Sequence, residues 1–177
     1  MRIMFLFAAS IGLALPGVQA QSGGWAVTLV KETHTSAENT AKASALAAFM
    51  QSTLKARLQQ TYPCAKLIDS DQIKQAGSMP PAEILNHPEL MAAINAQVVA
   101  QKHGGRFDEA YSTVEQDGES LVLHLALKQQ SDGAVVAELK RAAPPRDTET
   151  AVDALVQSFL VRLAALGPFN GCGQRQR

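Results

Sequence analysis

Residues 106–141, RFDEAYSTVEQDGESLVLHLALKQQSDGAVVAELKR, decide the fold that this sequence predicts. Within them, Leu121–Lys128 carries leucine at every second position, which is typical of a strand that buries one face. Asp-Gly pairs at 117–118 and 132–133 separate the alternating runs, and this pair favours tight hairpin turns. The stretch therefore predicts an antiparallel meander of three strands, over 106–114, 121–128 and 134–141.

The regions on either side of the meander alternate between strand and helix patterns. Trp25–Val30 and Cys64–Ile68 are rich in strand-forming residues. Apolar residues at helical spacing, with capping residues before them, predict the helices, which are expected over 41–60, 72–75, 88–103 and 147–166. The order predicts an α/β (α+β) domain, with a single mixed sheet of about five strands and about three main helices packed on it.

The first 20 residues have the three parts of a secretory signal peptide. Arg2 gives a positive start, Ile3–Leu15 is apolar but too short to span a bilayer, and small residues lead up to Ala20. We expect cleavage after Ala20, so that residues 21–177 form a single periplasmic domain that does not insert into the membrane. A retained membrane anchor is the alternative. Because Gln21 follows Ala20, we expect no lipid-modified cysteine at the amino terminus.

The charge balance bears on the class of partner. The chain has 16 basic and 16 acidic side chains, and loss of Arg2 on cleavage would make the product slightly acidic. The basic residues form no long runs. A near-neutral chain without a basic patch argues against nucleic acid and against anionic membrane surfaces as partners.

The chain has two cysteines, Cys64 and Cys172. In an oxidising compartment two cysteines favour a disulfide, which would tie the carboxy-terminal tail to the middle of the domain. Two free buried thiols and an intermolecular link are the alternatives. Neither cysteine has a histidine or cysteine neighbour at ligand spacing, so the sequence predicts no metal site.

No catalytic motif is present. The sequence has no G-x-S-x-G frame, no phosphate-binding loop and no pair of histidines four residues apart on a helix. His34 is expected in a polar loop, His87 before a helix and His103 at a helix end. His124 lies in the middle of a strand, where a ligand or general base is one interpretation and a structural histidine is the more common one.

The acidic residues also have structural explanations. Asp108 and Glu109 are neighbours on a strand and so are expected to face opposite sides of the sheet, which excludes a ready acid/base pair. Asp69 and Asp71 are expected to cap a helix. The sequence therefore predicts no enzyme, no catalytic residue and no cofactor.

The second half of the chain shows a layout known from a family of envelope proteins. INAQVVAQKHGG, RFDEAYSTV, SLVLHLALKQQ, SDGAVVAELK and TAVDALVQSFLVRLAAL follow one another as helix, three strands and helix. This layout resembles the amino-terminal domain of TolB and the related periplasmic domains of the curli-secretion lipoprotein and of LpoB, an activator of penicillin-binding proteins. Where that family has Leu-Gly-Ala-Asp, this chain has His103-Gly104-Gly105-Arg106, and Ser131-Asp132-Gly133 replaces D-x-x-T-G. No site residue is therefore carried over.

The resemblance implies a non-catalytic domain that binds other envelope proteins. With the signal segment, it favours a soluble periplasmic accessory module that engages an envelope protein complex. A periplasmic inhibitor or immunity protein against a hydrolase or toxin is the alternative, and an enzyme that uses His124 is the third hypothesis. Ala134–Arg141, if it lies at the edge of the sheet, would allow a partner to pair by strand addition. The sequence predicts neither the partner's identity nor the oligomeric state.

Overall fold

The secondary structure in the computed structural model covers residues 25–102, 106–144 and 146–166, which are the residues the structure describes. The predicted signal segment, His103 and Cys172 lie outside them. The strands and helices in chain order are β1 (Trp25–His34), α1 (Thr40–Thr61), β2 (Ala65–Asp69), α2 (Ser70–Ser78), α3 (Pro81–Ile84), α4 (Pro88–Lys102), β3 (Arg106–Asp117), β4 (Ser120–Gln129), β5 (Val135–Ala143) and α5 (Thr148–Leu166).

The five strands form one mixed sheet in the order β2-β1-β3-β4-β5. β1 is parallel to both of its neighbours, β2 and β3, whereas β3, β4 and β5 are antiparallel to one another. Gly118 and Gly133, in the turns of this meander, have positive φ angles of 60° and 71°, which glycine adopts without steric cost. The predicted α+β class and the antiparallel meander are confirmed.

One face of the sheet carries the main core. The leucines of β4 are buried on this face, as the alternation predicts, and Val27 and Leu29 of β1 join them. α1 and α5 cover this face, and Phe159 of α5 is fully buried. Burying this contiguous apolar surface is the main force that fixes the helices on the sheet. We call this side the core face.

The opposite face is covered at one end only. α2 and α4 pack there on β1, β2 and β3, over a small apolar cluster of Ala26 and Ile68 with Ile73 and Phe107 against it. The main helix contacts of β4 and β5 are instead with α5, on the core face. The β4–β5 half of the opposite face therefore keeps a polar surface.

β1 and α2 are among the elements whose bounds differ from the sequence prediction. β1 does not end at Val30 but continues to His34, because it pairs with β3 along its whole length, from Trp25 opposite Arg106 to His34 opposite Glu115. The expectation that His34 lies in a loop was therefore wrong. α2 is also longer than the predicted helix over 72–75 and includes Gly77. No helix within the described ranges has the length and hydropathy needed to cross a membrane.

Candidate functional site

The polar half of the sheet is the candidate site. Residues at alternate positions of β3, β4 and β5 share this surface, because pairing places Tyr111 opposite Ala126, His124 opposite Lys140, and Ala126 opposite Glu138. We call this surface the open face. It includes Glu109, Tyr111, Thr113, Glu115, Val122, His124, Ala126, Lys128, Glu138 and Lys140.

His124 lies at the centre of the open face, between two carboxylates. Its Nδ1 is 3.2 Å from Glu115 Oε1, and its Nε2 is 2.9 Å from Glu138 Oε1, a separation suited to an ion pair although the atoms are not aligned as a hydrogen bond. The side chain is 15% exposed. His124 thus joins β3, β4 and β5 through charged groups.

Lys140 completes this cluster from β5. Its Nζ donates hydrogen bonds to both oxygens of Glu115, at 3.0 and 3.3 Å. This hydrogen bond, the positive charge of Lys140 and the neighbouring His124 lower the pKa of Glu115 below its ordinary value. Glu115 is therefore held as a carboxylate, in contact with both Lys140 and His124.

Tyr111 forms a second cluster on the same face. Its hydroxyl donates a hydrogen bond of 2.7 Å to Glu109 Oε2, and the Lys128 ammonium lies 4.5 Å from the centre of its ring. Because the tyrosinate would lose this hydrogen bond and face the Glu109 charge, the pKa of Tyr111 is raised to about 12. The phenol is therefore a neutral donor with a cation over its ring.

Asp108 and Glu109 face opposite sides of β3 in the structure, as expected from their spacing. Asp108 is fully buried on the core face, where Trp25 Nε1 donates to its Oδ2 at 2.8 Å and Arg106 Nε at 2.6 Å. Burial raises the pKa of Asp108, and the hydrogen bond and charge of Arg106 oppose that rise. Trp25 also meets Tyr62 edge to face, with ring centroids 5.4 Å apart. These contacts give Asp108 a structural role.

The remaining residues singled out in the sequence lie apart from the open-face clusters or at their margin. Asp69 accepts a hydrogen bond from the Asp71 backbone N–H at 3.0 Å, so it caps α2 as predicted. His34 Nε2 is 3.5 Å from Glu32 Oε2 at the end of β1, and His87 Nδ1 is 3.3 Å from Glu89 Oε1 before α4. These contacts are between near neighbours in sequence and assemble no catalytic group.

The structure describes only one of the two cysteines of the predicted disulfide. Cys64 lies in the turn between α1 and β2, whereas Cys172 lies outside the described residues. The bridge between them therefore stays a prediction.

The side chains that the structure describes border a small cavity but form no cluster of metal-ligating groups. Within those residues, no group of three or more His, Cys, Asp or Glu side chains is arranged to hold a metal ion. A cavity of about 170 Å³ opens between the start of α1 and the start of α5, bordered by Lys42, Glu119 and Thr148. Ligand pockets are usually larger, about 300–1,000 Å³, and lined by convergent polar groups.

Sequence reasoning identified His124 but missed the clusters around it. Glu115 and Glu138 contact its ring from neighbouring strands, so their positions depend on the pairing register. The signal that would have found them is the alternation itself. With the leucines of β4 assigned to the core, the residues opposite Val122, His124 and Ala126 must share the other face.

No family model and no curated protein matches this sequence. Among solved structures, the PelC dodecamer from Paraburkholderia phytofirmans matches at 19% identity and a TM-score of 0.38, over 80% of this chain and 87% of that one. The LpoB C-terminal domain from Salmonella enterica matches at 19% and 0.34, over 68% and 82%. A lipoprotein from Neisseria meningitidis matches at 15% and 0.42, over 78% and 96%. TM-scores and identities this low support no assignment of function to this chain. The likeness to TolB and to the curli-secretion lipoprotein stays a prediction.

Proposed function

We propose that this protein is an exported, non-catalytic binding module that engages a protein of the cell envelope through its open face. The observation that carries the proposal is that helices cover one end of this face of the sheet and leave the other end exposed. α2 and α4 cover the β2–β1 end of that face, while the β3, β4 and β5 residues of the open face present tyrosine, histidine and paired charges. The signal-like residues 1–20 support export to the periplasm.

The chemistry of the open face suits recognition of a protein. Tyr111 offers a rigid aromatic ring, and tyrosine is enriched among residues that dominate binding energies at interfaces. The face also carries both signs of charge, from Glu109, Glu115, Glu138, Lys128 and Lys140. Lys140 contacts Glu115, whereas Glu109 and Lys128 contact Tyr111 and Glu138 contacts His124. Such an arrangement selects a partner with a complementary charge pattern rather than a uniformly charged polymer.

A photo-crosslinking experiment tests this proposal. A photoreactive amino acid is placed at Val122, on the open face, or at Lys55, on the exposed side of α1, and the protein is expressed in its exporting host. We expect Val122 to yield a specific adduct with an envelope protein, identified by mass spectrometry, and Lys55 to yield none. Equal adducts from both positions would count against the open face.

Binding to the purified candidate then measures the role of the face. Tyr111→Ala is expected to weaken affinity roughly 30-fold, as a hot-spot truncation does, whereas Lys55→Ala leaves it unchanged. Circular dichroism confirms that both variants are folded. An unchanged affinity in a folded Tyr111→Ala protein contradicts the proposal.

A further inference from the structure

β5 is the outermost strand of the sheet on the meander side, and in the described part of the chain no strand pairs with its free edge. An unpaired edge offers a row of backbone donors and acceptors to another strand. We propose that β5 pairs antiparallel with β5 of a second copy of this chain, about a twofold axis through Leu139. The two sheets would then join into one continuous sheet.

The hairpin between β3 and β4 determines which backbone groups of β5 are free. Asp117 and Ser120 pair across the two-residue turn Gly118-Glu119, as a hydrogen-bonded pair does. Because such pairs alternate along an antiparallel ladder, the odd-numbered residues of β4 direct their backbone groups toward β5. The Gln129 N–H, which donates to the Ala134 carbonyl at 2.8 Å, follows this rule.

The pairing of β4 with β5 has a register shift between Leu127 and Lys128. From Ala137 onward, the same alternation applies to β5. Ala137, Leu139 and Arg141 lie opposite Leu127, Leu125 and Leu123, so their backbone groups are used within the sheet. The backbone groups of Glu138 and Lys140 therefore point outward. Two copies can form hydrogen bonds along this edge only in registers that set these outward residues opposite one another.

Charge selects among these registers. An axis through Glu138 sets that residue against its own copy, and an axis through Lys140 sets two lysines face to face, and like charges directly opposite destabilise a strand pair. An axis through Leu139 instead places each Glu138 opposite Lys140 of the other copy. Both charged pairs are then attractive, and both are backbone hydrogen-bonded pairs.

The side chains are available for this pairing. Those of Glu138 and Lys140 are 46% and 48% exposed, and they lie on the open face, where each already contacts an opposite charge of its own chain. Pairing would extend the Glu115–His124–Glu138 row across the axis to Lys140 of the second copy. An edge lysine commonly blocks pairing between strands, but a glutamate two residues away makes this edge complementary to itself.

Charge-reversal variants test the proposal. Sedimentation velocity over a range of concentrations is expected to show a dimer for the mature wild-type protein. Glu138→Lys and Lys140→Glu should each weaken self-association roughly tenfold or more, because two attractive pairs become repulsive. An equimolar mixture of the two variants should dimerise again, since each lysine then meets a glutamate. Lys66→Glu, on the opposite edge strand β2, is the control and should leave the dimer intact.

The register has its own readout. Leu139 would face its copy across the axis in a non-hydrogen-bonded pair, with Cα atoms about 4.5 Å apart, within the range for a disulfide. Leu139→Cys should therefore give an oxidised intermolecular cross-link, mapped by mass spectrometry, whereas Glu138→Cys and Lys140→Cys should not.

A folded wild-type protein that stays monomeric at high concentration would overturn the proposal, as would a mixture of reversed variants that remains monomeric while either one dimerises alone. The adducts from Val122 report separately on binding to the envelope partner. Failure of self-association is therefore distinguishable from failure of the proposed function.

Discussion

The hydrogen bond from Tyr111 to Glu109 controls the ionisation of the most prominent aromatic side chain on the open face. Glu109→Gln should lower the pKa of Tyr111 from about 12 toward its ordinary value of 10.0, because the acceptor loses its charge. The remaining burial and the Glu32 charge keep it above that value. Tyrosinate absorbance measures the change, since the Tyr111 signal should develop at a lower pH in the variant than in the wild type.

The second tyrosine and a matched glutamate provide the controls. The pKa of Tyr62 is raised by burial alone, so the variant should leave its titration in place. Glu138→Gln removes an open-face carboxylate that contacts His124 rather than Tyr111, and it should leave Tyr111 unchanged. Equal shifts in both variants would mean that the general charge of the face, rather than the 2.7 Å hydrogen bond, controls the phenol.

For single residues, the sequence predicts well which face of the sheet a side chain lies on, but it predicts poorly which distant side chains it contacts. The opposite orientations of Asp108 and Glu109 follow from the two-residue period of a strand. The hydrogen bond between Trp25 and Asp108 joins residues 83 positions apart, and no local pattern encodes it. The approach of Glu138 to His124 likewise depends on the register between β4 and β5.

Among the elements, the meander turns depend on glycine. Gly133 has a φ of 71°, yet nothing lies within 4 Å of where its Cβ would be. Gly133→Ala should therefore destabilise the fold by about 1–2 kcal/mol through backbone strain alone. Urea unfolding followed by circular dichroism measures the free energy of unfolding.

Gly77 supplies the matched control for this substitution. It lies in α2 with equally open surroundings and without a positive φ, so Gly77→Ala should stabilise by roughly 0.5–1 kcal/mol, as a better helix former does. The same chemical change is thus expected to have opposite signs at two positions. A loss of stability at both would show that the added methyl group, and not the backbone angle, is responsible.

Elements with local signals were predictable, and those that depend on tertiary pairing were not. Leucine alternation and two Asp-Gly turns define β4 and its neighbours, which pair with strands adjacent in sequence. The last four residues of β1, Lys31–His34, are polar and resemble a loop. They are extended because β3, more than 70 residues later, continues beside them.

The sheet order sets the limit of prediction for the whole molecule. A chain with this succession of strands predicts a mixed sheet, but the interior position of β1, between β2 and β3, rests on two parallel pairings between distant segments. The same order places β5 at an edge and leaves the open face uncovered at that end. Thus the surfaces that carry both proposals follow from long-range topology, although the residues on them follow from local alternation.

A disulfide between Cys64 and Cys172 would bind the carboxy-terminal tail to this sheet. It would close a loop of roughly 100 residues, for which the chain-entropy treatment gives about 4.7 kcal/mol, and measured losses on removing a native bridge are about 2–5 kcal/mol. Cys64→Ser/Cys172→Ser should therefore lower the free energy of unfolding by an amount in that range. Reducing the wild-type protein should lower the free energy of unfolding equally, while reductant should not affect the double variant.

The mass of the exported protein tests the bridge itself. Because the expected compartment is oxidising, exported wild-type protein should be two hydrogens lighter than its reduced form. Two titratable thiols in the folded, exported protein would show that the tail is not tied to the domain in this way.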